Sequence, residues 1–117
     1  LLRWEIDIIG LKRPIAVCVD CKHWHHGMYP SVLSKIVEEQ VERTRALAEV
    51  LPSLANKIGC ASWSKVKLVP AVLSLLAGRF KFYDKVPIVP VLQIQDFLNQ
   101  LPVYADTLKH FQINLTD

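Results

Sequence analysis

The chain has 117 residues, 51% of them apolar and 21% charged, which suits one domain over residues 1–117 and excludes wholesale disorder. A chain of this size buries about two-thirds of its unfolded surface and needs no disulfide framework to hold it. The formal net charge of +3 helps a polyanion approach but selects no partner by itself.

Trp4 to Leu11 is β-branched and apolar, punctuated by Glu5 and Asp7, and reaches a break at Gly10; it reads as a strand. The stretch LKRP is a turn, because Pro14 blocks a helix there. Ile15 to Trp24, IAVCVDCKHW, reads as a second strand, apolar at first and polar at its end, so the two form an antiparallel hairpin. HHGMYPS is a loop, with Ser31 an N-cap for a long helix from about Val32 to Leu51, closed by Pro52. At about 100° per residue, Leu33, Ile36, Val37, Val41, Leu47, Ala48 and Leu51 fall on one arc. Glu38, Glu39, Glu42, Arg45 and Ala46 lie away from its centre. SLANKIG continues as a short helix or turn with Gly59 as a stop signal. Lys65 to Leu76 starts as a strand, and Pro70 marks its end or an edge. Arg79 to Val91 carries a further strand split around Asp84, with KVPIVPV as its buried part. A helix covers about Ile94 to Leu101, and a second short one is expected near Tyr104 to Phe111. The order β-β-α-β-β-α predicts an α/β class, with a mixed sheet flanked by helices.

Three cysteines, Cys18, Cys21 and Cys60, show no secreted-scaffold spacing, so a reducing, cytoplasmic location is expected. The opening LLRWEID carries charge at once and has no signal-peptide core. The longest apolar stretch, from about Val66 to Gly78, is too short for a bilayer and holds a proline, so no membrane span is expected. The chain opens almost inside a strand, and a preceding helix is expected to be missing from it.

Strand side chains alternate faces, so Cys18, Asp20, Lys22 and Trp24 share one side of the second strand and Val17, Val19, Cys21 and His23 the other. Glu5, Asp7 and Ile9 share a side of the first strand, and pairing the two brings Asp7 beside Asp20 with Lys22 one pleat on. Two carboxylates and an amine at the end of an apolar hairpin are costly to desolvate without compensation. A hard divalent cation compensates them: magnesium takes oxygen ligands, often one or two carboxylates plus a substrate phosphate. Lysine beside it can position or activate a water or offset transition-state charge, which together describes metal-assisted phosphodiester hydrolysis. Gln40 falls in the middle of the helix's apolar arc, where a polar amide faces the sheet and needs a partner.

Asp7, then Asp20-Cys21-Lys22 at the end of an apolar strand, resembles the PD-(D/E)xK nuclease superfamily. EIDIIG followed by AVCVDCKHW is most similar to its Mrr-like, NERD-like and archaeal resolvase-like branches. The resemblance implies a restriction-endonuclease-like fold, magnesium as cofactor with manganese able to substitute, and DNA as substrate. It implies that Asp7 and Asp20 are metal ligands, that the backbone carbonyl of Cys21 completes the metal shell, and that Lys22 is catalytic. Gln40 resembles the glutamine that several branches aim into the site from this helix. Ile6 stands where the superfamily often has proline, and the acid often found on a preceding helix has no counterpart. Cutting both strands is usually done by paired sites, so a homodimer fits the resemblance.

Blander readings account for the same residues. A cross-strand ion pair at a sheet edge explains Asp7, Asp20 and Lys22, and a solvated strand end explains Glu5. A catalytically silent nucleic-acid-binding or assembly module would keep the same fold. Cys18-x-x-Cys21 followed by His23, His25 and His26 suggests zinc, but an extended strand points the two sulfurs to opposite faces. The histidines belong to a loop beside the cleft, either solvated or in reach of phosphate. Trp24, Tyr29 and Trp63 could stack on bases or pack in the core. Lys65, Lys67, Arg79, Lys81 and Lys85 could follow a DNA backbone or guard a sheet edge.

Overall fold

The structure is a computed structural model that describes residues 5–22, 30–75 and 81–115. Its strands are β1 (Ile8–Lys12), β2 (Ile15–Lys22), β3 (Lys65–Ser74), β4 (Lys81–Tyr83), β5 (Val86–Pro90) and β6 (Phe111–Asn114); α1 (Pro30–Ile58) and α2 (Ile94–Tyr104) are its helices. The sheet runs β1-β2-β3-β5-β4, with β6 also on β3. β2, β3 and β5 pair in parallel and the other pairings are antiparallel, so the sheet is mixed. Parallel neighbours need a crossover, and α1 supplies it between β2 and β3.

Each face of the sheet carries one helix. Val17, Val19, Val69, Ala71 and Val89 meet Phe97 and Leu101 of α2 and Ala105 just after it. Ala16, Cys18, Val66 and Leu68 meet Leu47, Leu51 and Ala55 of α1, and Val72 and Ile88 continue that layer under Val37 and Val41. Residues one apart along β2 and β3 thus serve opposite layers, which is the alternation a strand imposes. Among the described residues no helix is long and apolar enough to cross a membrane.

Several boundaries differ from the sequence-based expectation. Pro52 does not close α1; the helix runs through it to Ile58. Proline costs a backbone hydrogen bond there, but Pro52 is exposed while Leu51 and Ala55 beside it are buried, so packing of the apolar stripe outweighs the local penalty. Gly59, at φ 108°, then ends the helix, a conformation that favours glycine.

Pro70 marks neither the end nor an edge of β3. It is buried in the central strand, where β6 pairs with Lys65 to Leu68 and β5 with Val72 to Ser74. The strand changes its neighbour across Pro70, and a missing donor is tolerated at such a place. β1 also continues through Gly10, whose lack of a Cβ admits Val17: an added Cβ would lie 3.1 Å from Val17 Cγ1.

The split at Asp84 is a two-residue hairpin turn with Asp84 and Lys85 at φ 50° and 66°, the mirror-image turn that suits strand twist. The short helix expected near Tyr104 to Phe111 is absent: α2 extends to Tyr104, a turn follows, and the chain forms β6. Phe111, Ile113 and Leu115 alternate, and all three pack toward α1. Their period of two is the strand signal that the helix reading passed over.

Candidate functional site

β2 changes character along its length. Its first residues are buried beneath the apolar part of α1, whereas Asp20 and Lys22, on the same face, emerge where α1 presents Gln40 and Arg43. β1 stops pairing one residue short of this level, with Ile8 opposite Val19. The first strand, expected from Trp4, begins at Ile8 and leaves out Glu5 to Asp7, where the chain bends at Asp7; Trp4 lies outside the described residues. Ile6 and Ile9 both pack in the α1 layer, which strict alternation forbids and the bend between them permits. The bend frees the Asp7 carboxylate to take over as ladder partner: the Cys21 backbone N–H donates to Asp7 Oδ2 at 3.0 Å.

The two acids that the hairpin pattern singles out thus line one open cleft of about 590 Å3, together with Glu5, Cys21, Lys22, Glu39 and Arg43. Asp20 is only 7% exposed. Lys22 Nζ lies 3.4 Å and Arg43 Nη1 3.5 Å from Asp20 Oδ2. Both cations are close enough to attract the carboxylate, yet each stands farther off than a settled charge-assisted hydrogen bond of about 2.7–2.9 Å. Among the described residues Asp20 Oδ2 is the one buried side-chain oxygen or nitrogen without a hydrogen-bond partner. Burial pushes the Asp20 carboxyl above its ordinary value; Lys22 and Arg43 oppose the rise and the Asp7 charge adds to it. The Cys21 thiol is pushed up as well, by burial and then by Asp7 and Asp20.

Gln40 is fully buried, as its place in the helix arc requires. Its Nε2 donates to the Cys18 carbonyl at 2.7 Å, and its Oε1 accepts from Arg43 Nη1 at 3.4 Å. The amide therefore ties α1 to β2 just before the polar end of the strand, and reaches the cleft only through Arg43. Sequence reading passed over Arg43 and placed Glu39 off the apolar arc. The spacing that could have found Arg43 is i+3 from Gln40, which puts both on neighbouring positions of one helix face. Glu39 Oε2 lies 3.7 Å from Arg43 Nη2.

The zinc reading loses its thiol pair. Cys18 belongs to the α1 layer and Cys21 packs against the α2 layer. Desolvation pushes the Cys18 thiol up to about 12, with a hydrogen bond to Thr44 opposing it, so it stays protonated at neutral pH. His23, His25, His26, Trp24 and Tyr29 lie outside the described residues. Trp63 is a core residue, with the Arg13 guanidinium 5.7 Å from its ring centre. The lysines form no single stripe: Lys65 and Lys67 lie in the part of β3 paired with β6, and Lys67 pairs with Asp106, whereas Lys81 and Lys85 belong to the β4–β5 hairpin. Arg79 lies outside the described residues.

Among the described residues no three His, Cys, Asp or Glu side chains come together to hold a metal ion. Asp7 and Asp20 are among the carboxylates that share the cleft, and an oxygen-only pair suits a hard cation that keeps waters in its remaining positions. Comparison with protein-family models, curated proteins and solved structures gives no match for the chain.

Proposed function

We propose that this chain is a divalent-metal-dependent nuclease of restriction-endonuclease-like fold that hydrolyses DNA phosphodiester bonds. The observation that carries this reading is the Asp20 carboxylate: buried, flanked by two cations at 3.4 and 3.5 Å, and left with an oxygen that no donor satisfies, beside the Asp7 carboxylate in an open cleft. Leaving a buried charged oxygen unsatisfied costs stability, and a divalent cation is the partner that removes the cost.

Asp7 and Asp20 would hold magnesium or manganese, with the Cys21 backbone carbonyl as a third oxygen. The ion supplies a Lewis acid and lowers the pKa of bound water. Lys22 stands one pleat beyond Asp20, on the same face and 32% exposed, so its ammonium can meet an attacking water or an anionic phosphate oxygen. Gln40 fixes the distance between α1 and this end of β2 and acts as a positioning residue. In the reaction one water adds to phosphorus and one P–O ester bond breaks. The departing oxygen takes up a proton, leaving one phosphomonoester end and one hydroxyl end.

Nicking of supercoiled plasmid in the presence of Mg2+ or Mn2+ tests the reading. The wild-type protein is expected to nick it, while Asp20→Asn and Lys22→Met each lose about 10²-fold or more, the scale seen when a transition-state charge partner is removed. Wild-type protein that leaves linear, circular and branched DNA intact with both metals would contradict it. A second reading, a module that binds nucleic acid without cutting it, is favoured by the way Lys22 and Arg43 already neutralise Asp20; DNA binding without cleavage is its signature.

A further inference from the structure

Arg43 enters the cleft from the helix side, opposite Lys22 on the strand side. Its polar contacts with the described residues are long: 3.5 Å to Asp20 Oδ2, 3.7 Å to Glu39 Oε2 and 3.4 Å to Gln40 Oε1. A settled guanidinium–carboxylate pair sits nearer, at about 2.7–2.9 Å, and is often bidentate. Arg43 has instead spread its donors over three acceptors and satisfied none of them closely. Its side chain is 20% exposed, with Gln40 behind it and the cleft in front.

The charge of the cleft sharpens the point. Its lining carries the acids Glu5, Asp7, Asp20 and Glu39 against the cations Lys22 and Arg43. A backbone phosphate entering this acid-rich lining needs a fixed cation on each side to be held. If Lys22 is engaged with the attacking water, Arg43 is the remaining cation among the described residues of the lining. Its planar fork of donors matches two oxygens of one phosphate, which an ammonium cannot do.

We propose that Arg43 is the helix-side phosphate contact of this cleft, resting on Asp20 in the free protein and turning to a DNA phosphate once Asp20 is taken by a divalent cation. The proposal rests on the nuclease reading above. It makes Arg43 a competitor of the metal for Asp20 and a partner of the metal for DNA, so removing its charge shifts the two affinities in opposite directions. A guanidinium that only braces α1 against β2 would, when removed, weaken both.

The test measures two affinities on the full chain. Mn2+ binding to the protein alone is followed by titration calorimetry. DNA binding is followed with Ca2+ present over a series of salt concentrations. Arg43→Gln is expected to bind Mn2+ at least as tightly as wild type. The same variant binds duplex DNA about tenfold more weakly, with the slope of log affinity against log salt reduced by about one phosphate contact. Arg43→Lys keeps the charge and retains the slope. The proposal is overturned if Arg43→Gln leaves DNA affinity and slope unchanged, if it weakens Mn2+ and DNA together, or if wild type has no affinity for DNA. Wild type that binds DNA but does not cut it removes the hydrolysis reading alone, and the salt slope of Arg43→Gln still decides the role of Arg43.

Discussion

The two ends of β2 lie under the same helix and are built on opposite terms. At the first end Ala16 and Cys18 meet Leu47, Leu51 and Ala55 in a buried apolar layer. At the other, Asp20 lies between Lys22 and Arg43, Arg43 in turn reaches Gln40 and Glu39, and one Asp20 carboxylate oxygen stays without a hydrogen bond. The first end contributes stability: each fully buried Leu or Val adds about 1.5–3 kcal/mol relative to exposure. The second subtracts from it, because a charge in a buried place is disfavoured unless fully paired. A scaffold that could have continued its apolar stripe instead places a charge cluster at an open cleft, which is the observation behind the proposed ligand site.

The contrast can be broken most forcefully by exchanging what each end loses. Leu51→Ala should cost about 2–5 kcal/mol of unfolding free energy, read by denaturant titration, while the folded fraction keeps the proposed nuclease activity. Asp20→Asn should do the reverse, abolishing cleavage without loss of thermal stability at neutral pH. If Leu51→Ala and Asp20→Asn destabilise alike, the two ends are not built differently. Gln40→Leu sits between them. It keeps the apolar contacts of the arc but leaves the Cys18 carbonyl without its side-chain donor, so a loss of about 1–3 kcal/mol is expected, together with a lower rate.

A subtler effect is the pH dependence of stability. The Asp20 carboxyl is raised in the folded protein, mainly by desolvation. The native state therefore binds this proton more tightly than the unfolded chain, whose aspartate titrates near its ordinary value of about 3.9. Stability contributed through Asp20 is present below that value and declines as pH rises through the window up to the raised folded value. Melting temperature against pH should show this downward component in wild type and lack it in Asp20→Asn. Smallest of all, Glu39→Gln removes an ion pair at 3.7 Å that is half open to solvent, and the change should stay within about 0.5 kcal/mol.

The α/β class, the β1–β2 hairpin and the two-faced character of β2 were legible in the sequence, because a period of two in IAVCVDCK admits little else. Gln40 was legible for the same kind of reason: helix periodicity placed an amide in an apolar arc, and the structure buries it. The bend at Asp7 was not, since it depends on where β1 stops pairing, and nothing within EIDIIG marks that register. Pro52 and Pro70 misled because local proline rules were outweighed by tertiary packing in one case and by a change of strand neighbour in the other. Arg43 was passed over because a charged residue beside an apolar arc reads as solvent-facing until the strand opposite is known to carry an acid. β6 was missed although Phe111, Ile113 and Leu115 alternate, because the segment is short and follows a helix.

The most direct test of the proposed metal site is a crystal of the wild-type protein soaked in Mn2+ and measured at the manganese edge. The account predicts an anomalous peak between the carboxylates of Asp7 and Asp20, within coordination distance of both, and with Arg43 no longer against Asp20. Saturating Mn2+ with no peak in the cleft, and with Lys22 and Arg43 still resting on Asp20, would contradict it.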